Sequence, residues 1–234
     1  MSVVVVFMLA ITAVAGWWLA RQRLMSKPWL EVGPVTAHPE TEAPLTHPAK
    51  IGLGVFLVVV GALFALFISA YFMRMAYADW QPAPVPRLLW LNTGMLVLAS
   101  AALQCGVYAA HKGQLANLRL SLLAGGLASL AFLGGQLLAW RDLAGQGYYA
   151  TDNPAVSFFY LLTAMHGLHI VGGLVALGRT NLRAWRAVRA EGLTLSAELC
   201  AMYWHVLLVV WFVLFSVLMG WAAEFIDICR RLLS

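Results

Sequence analysis

The chain has 234 residues, of which 62% are hydrophobic and only 11% charged, and its mean hydropathy is +0.80. A soluble domain of that length needs far more charge to cover its surface, so the composition is that of an integral membrane protein. The formal charge of +5 is small and no basic patch is interleaved with aromatics, so nucleic acid is not expected as a partner.

A helical span takes about 20 apolar residues to cross roughly 30 Å of hydrocarbon. Six stretches meet or nearly meet that length, which predicts an all-α, polytopic membrane helix bundle. The first runs from Val3 to Leu19. It lacks the basic leader of a signal peptide, with Arg21 and Arg23 following it instead, and it reads as a retained transmembrane helix within residues 1–24. Residues 25–49 carry Pro28, Pro34, Pro39, Pro44 and Pro48 among scattered acids, the composition of an extended linker. Residues 50–234 hold the remaining five spans: Ile51 to Met73, Leu88 to Ala109, Leu120 to Trp140, Pro154 to Leu177 and Ala197 to Trp221. Glycines inside them, such as Gly125, Gly126, Gly134, Gly135, Gly172 and Gly173, allow close helix approach and a compact bundle. Trp17, Trp18, Trp80, Trp90, Trp140 and Trp221 lie near span ends, where an interfacial belt accounts for them. Cys105, Cys200 and Cys229 form no CxxC pair; the first two sit in or beside apolar runs, where a thiol behaves as a small hydrophobe.

Basic residues orient the spans. Ten of the fifteen lie in or beside one set of loops: Arg21, Arg23, Lys27, Lys50, Lys112, Arg119, Arg179, Arg183, Arg186 and Arg189. The positive-inside rule puts those loops in the cytoplasm and both termini on the periplasmic side.

No Asp, Glu, Lys or Arg lies deep in a span, which argues against a pump or ion-coupled carrier. The deep titratable groups are His166, His169 and His205. His169 and His205 each lie eight residues from the cytoplasmic end of their spans, a depth of about 12 Å. If those spans are neighbours, the two imidazoles share one level and can meet each other. His166 and His169, three apart, share a face. Three readings stay open on spacing alone. The histidines ligate a metal or haem, for which no carboxylate or thiol completes the set. They hydrogen-bond between helices. Or they line a site for lipid or a partner near the Arg-rich loop, where Arg179 or Arg183 meets a phosphate.

Four stretches carry a resemblance. LTAMHGLHIVGG holds His166 and His169. ELCAMYWHVLLVVWFVLF holds Glu198, Tyr203, Trp204, His205 and Trp211. LLWLNTGMLVLAS holds Asn92, Thr93 and Ser100, and Gln136 is followed by Trp140. In this order and spacing, residues 50 to 221 resemble subunit III of the haem–copper respiratory oxidases, as in cytochrome c oxidase. The resemblance implies an accessory subunit without cofactors of its own. It packs on catalytic subunit I, in a complex that includes subunit II and carries haem and copper in those partners. It holds phospholipids, stabilises the complex and supports proton uptake. The motif histidines then pin the last two helices together, and Glu198 accepts a hydrogen bond or steadies a nearby Arg. The chain departs from the family at Val60, Ala139 and Leu208, where relatives often carry carboxylates, and in having one helix before the linker where fuller members have two. Two alternatives stand beside this reading. One is a subunit III-like component of a quinol oxidase or nitric oxide reductase. The other is a stand-alone haem protein using His166 or His169 with His205.

Overall fold

The computed structural model describes residues 48–82, 84–151, 153–188 and 192–221. The helix expected over Val3 to Leu19 and most of the expected linker lie outside the described residues. Five helices follow one another: α1 (Pro48–Met75), α2 (Leu88–His111), α3 (Leu115–Gly145), α4 (Pro154–Arg186) and α5 (Thr194–Leu218). Each is long and apolar enough to cross a membrane. The chain divides into two compact units, Met1–Val60 and Gly61–Ser234. Of the first, the described part is the opening stretch of α1, residues 48–60. All that follows concerns the second.

Helix boundaries have local causes. α1 begins on Pro48, whose missing N–H costs nothing in a first turn. Between α2 and α3 only Lys112, Gly113 and Gln114 intervene, and Gly113 takes φ +69°, a conformation that disfavours any side chain. That tight turn makes α2 and α3 an antiparallel hairpin. At the start of α4 the Asn153 side chain accepts from the Ala155 N–H at 3.0 Å, with Pro154 in the first turn. α3 and α4 run to 31 and 33 residues, beyond the predicted spans at both ends of α3 and at the C-terminal end of α4. Their additional turns carry Arg119, Arg141, Arg183 and Arg186, polar heads that can leave the hydrocarbon while the backbone stays helical.

α2 packs along α3, α3 along α4, α4 along α5, and α5 returns to α2, closing a ring of four antiparallel helices. Its centre is filled by Phe132, Phe159, Trp204, Trp211 and leucines from all four helices, all fully buried. The second half of α1 lies on α4. Phe64 meets the rings of His166 and His169 at 6.1 and 5.3 Å, and Tyr71 meets Phe158 at 5.7 Å. Tyr71 also packs edge-on against Trp80 in the loop after α1, and Asn153 donates to the Gln81 carbonyl at 2.6 Å. These contacts close one end of the bundle. The other end carries Arg119, Arg179, Arg183 and Arg186 and is the basic end below.

Candidate functional site

Three tryptophans repeat one device at three helix contacts. Trp204 on α5 donates its Nε1–H to the Ser129 hydroxyl of α3 at 2.8 Å, and Ser129 donates onward to the Gly125 carbonyl. Trp211, two turns along α5, donates to Thr93 of α2 at 2.9 Å, and Thr93 donates to the Leu89 carbonyl. Trp140 of α3 donates to Thr163 of α4 at 3.1 Å, and Thr163 donates to the Phe159 carbonyl. In each case a hydroxyl takes the indole proton and passes its own to the carbonyl one turn back. An indole N–H can therefore be buried in hydrocarbon without a penalty. Trp140, expected as a plain interfacial ring, is thus a link between α3 and α4. Tyr160 reinforces it by donating to the Trp140 and Tyr148 carbonyls.

The three deep histidines go to three different places. His166 is fully buried at the ring's centre, between Trp211 at 5.2 Å and Phe132 at 5.8 Å. Asn92 and Gln136 are buried in the same four-helix core, Asn92 with its amide against Gly135 of α3. A Cβ at Gly135 would collide with that amide, its carbon only 2.8 Å away, so glycine is what lets Asn92 sit there. His169 turns toward α1 and donates from Nδ1 to the Met165 carbonyl of its own helix at 2.7 Å. His205 faces α2. Its Nε2 donates to Gln104 Oε1 at 2.9 Å, which leaves Nδ1 as the acceptor for the Ser100 hydroxyl. His169 and His205 thus hold opposite tautomers, each fixed by its partners.

This corrects the expectation that His169 and His205 meet and pin α4 to α5. Equal depth is not equal direction. Tyr203 faces α4, and His205, two residues and about 200° further round, must face away from it. The α4–α5 contact is made by Tyr203, whose hydroxyl donates to the His169 carbonyl at 2.8 Å. It is also made by close approach at Gly173, where a Cβ would come within 2.5 Å of the Tyr203 ring and 2.9 Å of Trp204. Nor do His166 and His169 present one shared face: one points into the core and the other to α1.

At the basic end, Glu198 Oε1 pairs with His111 Nε2 at 2.9 Å, joining the start of α5 to the end of α2. His111 was not singled out in the sequence, and the expected Arg partner is not the one bonded. Arg179 and Arg183 are exposed. The cation that engages the backbone there is Arg119, which donates to the Ala184 and Ala187 carbonyls at 3.0 Å and stacks on Trp185 at 5.3 Å. It satisfies the open carbonyls of the α4 C-terminus, where a positive charge also suits the helix dipole. Sequence reasoning missed Gln104, His111, Arg119, Ser129 and Phe132. Gln104 had a visible signal, as a polar side chain in an apolar span; the others did not. Among the residues where relatives often carry carboxylates, Ala139 is fully buried, so an acid there would enter a dry core.

Among the described residues, no group of three or more His, Cys, Asp and Glu side chains is placed to hold a metal ion. The arrangement builds a cross-linked scaffold whose polar groups are spent on holding helices together.

A sequence model described as cytochrome c oxidase subunit III matches residues 32–223. Among similar curated proteins, a probable cytochrome c oxidase subunit 3 of Mycobacterium tuberculosis is 31% identical over 187 residues, covering 74% of this chain and 89% of the relative. A probable cytochrome c oxidase subunit 3 of Nocardia farcinica is 32% identical over 183 residues, with 74% and 88% covered. The cytochrome c oxidase subunit 3 of Thermostichus vulcanus is 30% identical over 184 residues, with the same coverage.

Proposed function

This chain belongs to the cytochrome c oxidase subunit III family, and from that premise we propose that it is the cofactor-free accessory subunit of a bacterial terminal oxidase. It is a multi-pass membrane protein. In this reading it packs on catalytic subunit I within a complex containing subunit II. Those partners carry the haem and copper that pass electrons from cytochrome c to oxygen. The basic end faces the cytoplasm and both termini the periplasm, in the bacterial inner membrane. The chain holds phospholipid at its surface and supports proton uptake by its partner, with Glu198 and His111 its candidate groups at the cytoplasmic mouth.

The observation that supports this best is the commitment of the motif residues to internal links. Both nitrogens of His205 bond to α2, Nδ1 of His169 bonds its own helix, and Trp204 and Trp211 tie α5 to α3 and α2. A haem clamp needs imidazole nitrogens free and aimed at a common point. A scaffold needs them bonded as they are. Relatives named as cytochrome c oxidase subunits favour cytochrome c over quinol or nitric oxide chemistry.

Purification of the full chain in mild detergent tests the reading. Co-isolation of a haem–copper subunit I and a copper-bearing subunit II is expected, with haem absorbance following the partners. A stoichiometric Soret band in the chain isolated alone, lost on His205→Ala, would overturn it.

A further inference from the structure

α3 and α4 are joined near both ends and part in between. Toward one end Trp140 bonds Thr163; at the basic end Arg119 holds the last carbonyls of α4. Between these ties the helices leave an open groove of about 270 Å³, lined by six leucines with Gly126, Gly178 and Asn181. Its leucine rim is exposed at Leu123, Leu127 and Leu130. A Cβ at Gly178 would touch nothing within 4 Å, so the trough owes part of its depth to that missing side chain.

The groove is apolar along its length and polar at one end only. Asn181 lines it toward the basic end, and the Asn181 Oδ1 is buried without a hydrogen-bond partner. A buried, unpaired amide atom is costly and calls for a ligand atom. One turn further out on the same faces stand Arg119 of α3 and Trp185 of α4, the indole 56% exposed. Arg119 uses Nε and Nη2 on the α4 carbonyls, and Nη1 makes no hydrogen bond among the described residues. From the middle of the bundle outward the order is therefore alkyl surface, amide, then guanidinium beside an interfacial indole.

We propose that this groove binds one anionic membrane phospholipid. An acyl chain lies along the leucines, a chain ester meets the Asn181 amide, and the phosphate sits at Arg119 beside Trp185. The amide serves an ester carbonyl when its NH2 is turned inward, since its two ends are interchangeable by rotation. Arginine supplies a charge-assisted contact to phosphate from the edge its helix cap leaves open. A partner's transmembrane helix, about 10 Å across, is too broad for the trough and would leave Asn181 and Arg119 facing its side. The inference rests on the lipid-holding part of the proposed function and gives it a place and a headgroup charge.

The test is a lipid count by native mass spectrometry on the delipidated full chain, with whatever partner subunits accompany it, after titration with phosphatidylglycerol. Wild type is expected to retain one phospholipid that Gly178→Leu does not; leucine there fills open space and leaves the helix intact. Arg119→Gln is expected to weaken retention of phosphatidylglycerol about tenfold, the loss of one charged hydrogen bond. Phosphatidylcholine is expected to bind wild type more weakly than phosphatidylglycerol. An unchanged count in Gly178→Leu overturns the site. So does a Gly178→Leu chain that keeps its lipid but sheds a partner subunit, since the groove would then be a protein contact. Equal affinity of wild type and Arg119→Gln overturns the phosphate assignment. Absence of partner subunits from the preparation would count against the oxidase reading and leave the lipid count to be read on its own.

Discussion

The α2–α5 seam and the α3–α4 face are built from similar apolar helices and behave differently. Polar links cross the α2–α5 seam along its length: His111 to Glu198 at the basic end, Gln104 and Ser100 to His205 midway, and Thr93 to Trp211 beyond them. Trp90 against Phe215 at 4.9 Å closes the far end. On the α3–α4 face the links sit near the ends and a leucine groove lies between them. Hydrocarbon offers little drive to bring apolar helices together, because lipid tails serve leucine as well as another leucine does. A polar group in the same place has no such substitute and must find a partner. The seam with polar groups zips shut, and the face without them stays open to acyl chains.

That contrast can be broken at its strongest point. Trp211→Ala removes a fully buried indole from between His166 and Phe132 and leaves Thr93 without its donor. A loss of about 3–5 kcal/mol is expected in denaturation of the detergent-solubilised chain. A change below about 1 kcal/mol would mean that the α2–α5 seam is not what holds the ring.

The glycines sharpen the comparison. Gly173→Val is expected to cost about 1–3 kcal/mol, because a side chain there drives into Tyr203 and Trp204. Gly178→Leu, five residues on and facing the groove, is expected to be neutral or to stabilise by up to about 1 kcal/mol through helix propensity. Thermal melts of the two variants side by side decide it, and equal losses would erase the difference between the faces.

His205→Leu strands Ser100 and Gln104 and is expected to cost about 1–2 kcal/mol. His169→Leu should cost less, since its Nδ1 bond stays within α4. Because their partners differ, the double variant should equal the sum of the singles within about 0.5 kcal/mol. Strong coupling would revive the direct His169–His205 contact that the geometry denies.

The smallest effect lies outside the spans. The Arg74 guanidinium bonds both oxygens of Asp79, one at 2.7 Å, and holds the carboxyl below its usual range. A depressed folded-state pKa contributes stability above the unfolded value and loses it as pH falls through the folded one. Both side chains are solvated, so the acid-side loss should be slight, and Arg74→Gln should flatten it in a melt-versus-pH series.

Legibility in the sequence followed the kind of information needed. The spans of α1 to α5 could be read from apolar length alone. The turns at Gly113 and Asn153–Pro154 carried their own chemistry. Helix ends were read short at Leu120, Trp140 and Leu177, because hydropathy marks where side chains change polarity and not where the backbone stops being helical. Within the motif helices, the residues that matter were visible at His166, Trp204, His205 and Trp211. What each touches was not. Pairing His169 with His205 failed because depth along a helix was used where azimuth decides.

By itself the sequence determined that this chain lives in a membrane, where its apolar helices begin, and which of its few polar side chains lie deep. One-dimensional hydropathy carries these, since burial in lipid is decided residue by residue. The tertiary structure alone decided that Trp204 meets Ser129, that His205 belongs to α2, that Arg119 closes α4, and that α3 and α4 part around Gly178. Each depends on the rotation of two helices about their own axes and on their crossing, which are set jointly by side chains many turns apart in the chain.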